Sequence, residues 1–146
     1  MTLKVEIAVR SLHLDDHKLH HQSIEYLLKE YLQATSQDIP ASIKEALAAP
    51  AADVLGGFAN EHLVAILLGS TVQTLTRHTY LIDDVVCHPQ YQRQGIATRM
   101  IQVAFAQAKV KGCHRVALTC SRPEAQRFYK KLGFTERDSQ LYYWDL

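Results

Sequence analysis

Residues 85–97 run from an apolar strand end, Val85-Val86-Cys87, through the polar loop His88-Pro89-Gln90-Tyr91-Gln92-Arg93-Gln94, to a helix start at Gly95-Ile96-Ala97. A turn of this kind gathers unpaired backbone N–H groups and the positive end of a helix dipole at one point. Such a point binds anions, most naturally phosphate. Gly95 leaves out a side chain where a ligand must approach the backbone, and Ala97 stays small for the same reason. Neither Gly-x-Gly-x-x-Gly nor a Gly-Lys-Ser/Thr ending is present, so the dinucleotide fingerprint and the P-loop are both excluded.

Immediately upstream, Asp83 and Asp84 interrupt an otherwise apolar strand. Carboxylates inside such a strand are costly unless paired or solvated, which favours a cleft over deep burial. Adjacent strand residues face opposite ways, so at most one of the two should reach a reacting centre unless a bulge intervenes. His13, His17, His20 and His21 gather near the first helix, and i, i+3 and i, i+4 spacings could bring three of them together. No carboxylate or thiol completes a ligand set. The cluster reads as a solvated helix face, and no metal is expected.

The elements that must position these groups follow from periodicity. Leu3, Val5, Ile7 and Val9 alternate as a half-buried strand; Leu19, Ile24, Leu27, Leu28, Tyr31 and Leu32 recur at helical spacing after Asp15 and Asp16, which suit a helix N-terminus. Pro40 and residues 42–49 suggest a shorter helix closed by Pro50. Strands then follow at 54–59, across 63–76 after an Asn60-Glu61 turn, and at 80–87. A helix spans 96 to about 111 and ends at Gly112; a short strand covers 114–119, and a helix runs from Pro123 to Leu132 with Gly133 as its stop. Leu141-Tyr142-Tyr143-Trp144-Asp145-Leu146 reads as a last strand.

With 146 residues, 47% of them hydrophobic, the chain suits one domain, 1–146, that needs no metal or disulfide to hold its core. Sixteen Lys and Arg against 15 Asp and Glu leave a formal charge of +1, too little for a protein whose main partner is nucleic acid or a membrane surface. No apolar run is long enough to span a bilayer and the start does not resemble a signal peptide, so a cytoplasmic location with three reduced cysteines is expected.

Gln92-x-x-Gly95-x-Ala97 resembles the pyrophosphate loop of the GCN5-related N-acetyltransferases, which reads Gln/Arg-x-x-Gly-x-Gly/Ala. Farther on, Ala125-x-x-Phe128-Tyr129 and Gly133-Phe134 resemble that family's closing motif. Two motifs in the right order on the right elements, within a similar order of elements throughout, extend the resemblance over essentially the whole chain. It implies an α/β (α+β) fold: a mixed, mostly antiparallel sheet of six to seven strands flanked by helices and splayed at the strand ending near Cys87. It also implies acetyl-CoA as cosubstrate and an amine as acceptor. In that reading Val85, Val86 and Cys87 offer backbone groups to the pantetheine arm, as a strand edge does to an added strand. The segment Gln92, Arg93, Gln94, Gly95, Ile96, Ala97 and Thr98 cradles the pyrophosphate.

The resemblance further assigns Tyr129 as general acid toward the departing thiolate, a role that suits a phenol still protonated at pH 7. The run Ile82-Asp83-Asp84-Val85-Val86 resembles the Ile-Glu-Asp-Val/Ile-Val run of the glucosamine-phosphate acetyltransferases, where Asp83 takes the place of a glutamate often proposed as base; Asp84 is the second candidate. Ser121 stands where the family often has an asparagine that touches the pantetheine arm, and its shorter side chain leaves that contact open. The residues 15–50 occupy the region where the family varies its acceptor-binding helices. A small-molecule amine is the expected acceptor, because the chain shows no basic or extended surface that suits a large partner; the alternatives are a protein lysine or N-terminal amine and a non-catalytic acyl-CoA-binding module, and a homodimer is compatible with each.

Overall fold

The structure, a computed structural model, describes residues 4–32 and 39–146. Leu3, expected on the first strand, lies outside the described residues. The elements run β1 (Ile7–Ser11), α1 (Leu14–Leu32), α2 (Ile39–Ala48), β2 (Ala52–Ala59), β3 (His62–Gln73), β4 (His78–Cys87), α3 (Ile96–Val110), β5 (Arg115–Leu118) and α4 (Pro123–Leu132), with a 3-10 turn at Pro89–Tyr91. Among the described residues no helix is long and apolar enough to cross a membrane.

Asp15 and Asp16 lie within the first turn of α1. Asp16 reaches back to accept a hydrogen bond from the His13 N–H at 2.8 Å, the reciprocal arm of a capping box. The same carboxylate takes a two-pronged ion pair from Arg10 of β1, at 2.8 and 3.0 Å. The helix is thereby pinned to the sheet at its N-terminus, and it kinks at His20, whose backbone leaves helical geometry.

The five strands form one sheet in the order β1-β2-β3-β4-β5, antiparallel throughout except for the parallel β4–β5 pair. Asn60 and Glu61 make the expected turn between β2 and β3, both with positive φ, as a two-residue hairpin loop with the right twist requires. The apolar run 63–68 and the residues after it to Gln73 form one strand, whereas Thr74 and Thr76, expected on it, fall in the turn before β4. The centre of β3 is buried on both faces, which is why it reads as continuous rather than alternating. One core cluster joins the sheet to α3 through Leu55, Leu67, Tyr80, Ile82, Ile96, Met100 and Ile101. A second, on the other face, joins Phe58, Leu63, Ile66 and Val86 to Ile24 and Leu27 of α1 and Ile43 of α2.

Strand β4 is irregular in two ways. Pairing with β3 skips Asp83, since Leu68 faces Asp84 and Gly69 faces Ile82; Asp83 is the extra residue of a bulge. Pairing with β5 stops at Ile82 opposite Leu118, while β4 continues to Cys87. Beyond that point the two strands splay and leave the end of β4 with an unpaired edge.

The expected last strand is absent, and among the described residues the sheet has five strands where six to seven were expected. Leu141, Tyr142, Tyr143, Trp144 and Leu146 carry a strand-like pattern but lie exposed and belong to no element. Alternating apolar residues supply only the propensity for a strand; the strand itself requires a partner edge to satisfy its backbone.

Candidate active site

Gly95 caps α3 with φ +84, a conformation that favours glycine, and contributes no side-chain hydrogen bond to the helix end. Arg99 N–H already closes onto the Gly95 carbonyl at 3.0 Å, so the N–H groups of Ile96, Ala97 and Thr98 precede the first intrahelical bond and are left for a ligand. A Cβ built on Gly95 would meet nothing within 4 Å, so open space lies directly in front of these donors. Arg93, also at positive φ, turns the loop just before them. Together they border a cavity of about 860 Å³ between the ends of β4, α3 and α4.

Gln92 lines this cavity, and its amide donates to the Cys87 carbonyl at 3.1 Å, tying the loop to the end of β4. Gln94 instead donates to the Gln90 carbonyl at 3.2 Å and does not line the cavity. His88 is a structural residue: its Nδ1 accepts from Gln90 N–H, and its ring stacks on Tyr26 of α1 at 5.5 Å and meets Tyr91 edge-on.

The ladder between β3 and β4 decides which backbone groups face the splayed edge. His88 N–H donates to the Val64 carbonyl at 2.8 Å, so in an antiparallel ladder Val86 likewise spends its N–H and C=O on Ile66. Val85 and Cys87 alternate with it and turn theirs toward the open side. Both side chains line the cavity; Val86 is buried on the opposite face, against α1 and α2. Of the three residues expected to meet a pantetheine arm, the structure therefore brings Val85 and Cys87 to the cleft and turns Val86 away. Burial pushes the Cys87 thiol up, which favours the unreactive thiol over a nucleophile.

Tyr129 projects from α4 across this cavity, held edge-on by Phe128 and Phe134 with ring centroids 5.2 and 5.7 Å away. Pro123 begins α4 and Gly133, at φ +108, ends it, so this helix and the Tyr129 position follow from local sequence. Burial first, and the neighbouring Cys120 second, raise the Tyr129 phenol above its ordinary value, with Arg122 opposing. The hydroxyl stays protonated at neutral pH and can donate.

The bulge separates the two aspartates. Ile82 shares the α3 face with Val85 and Cys87, so alternation has been reset between them and Asp84 joins Val86 on the α1 face. Asp84 is half-buried, whereas Asp83 is exposed. Burial, followed by the charge of Asp83, raises the Asp84 carboxyl above the usual carboxylate range. On the same face lies a depression of about 230 Å³ bordered by Gln22, Ser23, Tyr26, Leu27, Leu63 and His88.

Ser121 is exposed and does not line the cavity; Arg122 beside it does, as does Arg127. Neither arginine stood out in the sequence. Arg122 caps α4 just before Pro123 and Arg127 lies one turn into the helix, and no local feature of the sequence marks either as facing a cavity. Among the described residues no group of three or more His, Cys, Asp or Glu is placed to hold a metal ion.

Comparison with known proteins gives the same architecture. No curated protein matches the sequence. An aminoglycoside N-acetyltransferase, AAC(6')-Iy, solved in complex with CoA, is 17% identical and superposes with a TM-score of 0.82 over 99% of this chain and 98% of that one. An aminoglycoside acetyltransferase from an uncultured soil metagenomic sample, solved with trehalose, is 18% identical with a TM-score of 0.82 over 96% of each chain. The ribosomal-protein-alanine N-acetyltransferase of Brucella melitensis biovar Abortus 2308 is 22% identical, with a TM-score of 0.78 over 97% of this chain and 99% of that one. At these identities the likeness speaks to the fold. The model of the acetyltransferase (GNAT) family matches residues 13–134, from the start of α1 to the end of the closing motif. The chain belongs to that family, the acetyl-CoA-dependent N-acetyltransferases.

Proposed function

We propose that all 146 residues act as one catalytic domain, in the cytoplasm, that moves the acetyl group of acetyl-CoA to the primary amine of a small molecule by direct attack. The observation that carries this reading is the convergence on one cavity of the free N–H groups of Ile96, Ala97 and Thr98, the unpaired edge at Val85 and Cys87, and the Tyr129 hydroxyl. The donor set suits a pyrophosphate: three backbone N–H groups at a helix N-terminus, with Arg93, Arg122 and Arg127 around them, supply positive charge that the net charge of +1 does not register. Acetyl-CoA, when bound, supplies an activated thioester carbonyl at the open edge of β4.

The chain's own groups then divide the work. The Cys87 N–H, turned to the open side, polarises the carbonyl oxygen. Asp84 takes the proton from the acceptor ammonium, directly or through a water, because a carboxyl raised by burial is a stronger base than an exposed one. Asp83 adds negative charge that draws in a cationic amine. Tyr129 gives its proton to the departing thiolate and regains one from the proton that the attacking nitrogen sheds as the amide forms, so that Asp84 keeps the one proton released overall. Gln92 acts by holding the loop against Cys87, Gln94 by bonding Gln90 within the same loop, and Val86 by packing against α1 and α2.

A small acceptor is favoured by the size of the depression between α1, Leu63 of β3 and His88, on the sheet face that carries Asp84. Aminoglycoside acetyltransferases among the structural neighbours support an acceptor of that kind. The test monitors free thiol from acetyl-CoA with amines, aminosugars, polyamines and lysine peptides. Turnover on a small amine that drops about 10²- to 10⁴-fold in Tyr129→Phe, with CoA binding intact, is expected. Turnover only on peptides would make the chain a protein acetyltransferase, and CoA binding without turnover on any acceptor would make it a sensor. Unchanged turnover in Tyr129→Phe would remove the assigned acid.

A further inference from the structure

The loop between β4 and α3 is held at its start by a histidine. His88 donates its N–H to the Val64 carbonyl at 2.8 Å and is thereby fixed to β3, while its side chain caps the Pro89–Tyr91 turn: Nδ1 accepts from Gln90 N–H at 3.2 Å. A backbone N–H can only donate, so Nδ1 must be bare and the imidazole neutral, with its proton on Nε2. The capped turn delivers Tyr91 and Gln92 to the wall of the large cavity, and Arg93 and Gly95 follow directly. The other bonds of this loop run between amides: Tyr91 N–H to the His88 carbonyl at 2.9 Å, Gln92 N–H to the Pro89 carbonyl at 3.3 Å, and the Gln92 and Gln94 side chains to the Cys87 and Gln90 carbonyls. Among these bonds, only that of the imidazole involves a side chain of the kind that changes charge between about pH 5 and 8.

We propose that His88 is a positioning residue for the CoA site, and that a proton on its imidazole loosens the loop, so that CoA binds more weakly as the pH falls. The ring stays in place when it is charged, because it is stacked on Tyr26 of α1 at 5.5 Å and a cation is attracted to an aromatic face. Protonated Nδ1 then meets Gln90 N–H donor to donor, and turning the ring over brings a C–H to the same spot. Either way the turn loses its cap. The depression around the ring is lined by Gln22, Ser23 and Tyr26 of α1 with Leu27 and Leu63, Tyr91 meets the ring edge-on, and the Cys87 thiol, kept neutral by burial, donates to the His88 carbonyl. None of these groups carries a charge that would hold the proton in exchange for the lost bond.

A lost N-cap typically shifts a local equilibrium about fivefold, and CoA affinity falls by about that factor if only the ordered loop binds it. By reciprocity, bound CoA makes the ring harder to protonate to the same extent. This inference rests on the reading of the cavity as the CoA site and is independent of the acid, the base and the acceptor.

Calorimetric titration of the full chain with dephospho-CoA between pH 8 and 5.5 tests it; that probe lacks the 3′-phosphomonoester, a group that itself titrates near about 6. Affinity is expected to fall about fivefold over this range in the unaltered protein. His88→Asn keeps a side-chain oxygen as cap and has nothing to titrate, so it should restore the high-pH affinity at every pH; His88→Ala, with no acceptor, should bind weakly at every pH. Proton and nitrogen NMR of the unaltered protein needs no variant to fold: Nδ1 should be bare at pH 8, the Gln90 amide should shift as the ring titrates, and the ring should take up its proton at lower pH when dephospho-CoA is bound. A pH-independent affinity, the same fall in His88→Asn, His88→Ala binding as tightly as His88→Asn, or a ring whose protonation ignores dephospho-CoA would each overturn the proposal. Gly95→Val separates it from the reading beneath it. Unchanged dephospho-CoA affinity in that variant would refute the cavity as the CoA site, whereas a loss there with a flat pH profile in the unaltered protein would refute the role of His88 alone.

Discussion

Replacing Asp16 by Asn isolates the charge that fixes α1 to the sheet. The side chain keeps its shape and can still accept from His13 N–H, but Arg10 loses its ionic partner. In the folded protein the Arg10 hydrogen bonds, backed by the His13 N–H, hold the Asp16 carboxyl at about 2 against an ordinary value of 3.8. At about 1.4 kcal/mol per tenfold change in proton affinity this linkage is worth roughly 2 kcal/mol. Asp16 is only 9% exposed, but Arg10 is 48% exposed, so solvent screening reduces the contribution to about 1–2 kcal/mol. For a domain of this size that corresponds to a fall in Tm of roughly 3–8 °C at pH 7. The sign fixes the pH dependence: a lowered carboxylate stabilises fully above 3.8, and the gain is lost as pH falls toward 2. Urea unfolding of both proteins at pH 7, 5, 4 and 3 measures the gap. Equal stability at pH 7, or a gap that does not narrow between pH 5 and 3, would refute the assignment of the energy to this ion pair.

Asp84→Asn should lower kcat by about 10²-fold or more and remove the acidic limb of the rate profile. Asp83→Asn should keep turnover within a few-fold and shift that limb to lower pH, because part of what raises Asp84 is the charge of Asp83; loss of turnover in Asp83→Asn would return the base to that residue. Gly95→Val forces a β-branched residue to φ +84 and fills the space before the α3 donors, so CoA affinity by calorimetry should fall at least tenfold. Gly57→Ala would place a methyl 2.8 Å from Ile96 Cγ2 and 3.0 Å from Ala65 Cβ. Overpacking there should cost about 1–3 kcal/mol in urea unfolding and weaken CoA binding, since Ile96 opens the helix that holds the anion site.

Much of the site was legible because its signals are local. Gly95, with its positive φ, and the helix it opens depend on backbone chemistry within a few residues, as do the bounds of α4 at Pro123 and Gly133. The alternation in β1 and the Asn60-Glu61 turn are of the same kind. Arg122 and Arg127 were not legible, because an exposed arginine near a helix start looks the same whether or not a cavity opens beside it.

What the sequence by itself determined was the order of elements, the helix start that presents free N–H groups, and the residue types that can move a proton. Tertiary structure decided which of them meet. The bulge that puts Asp84 on the α1 face, and leaves Asp83 in solvent, exists only through the register with β3. Whether Val86 or its neighbours turn backbone groups to the cleft depends on which ladder bonds β3 has already taken. The last residues carry every mark of a strand and form none, because a strand is a relation between two edges and a single stretch of sequence describes only one of them.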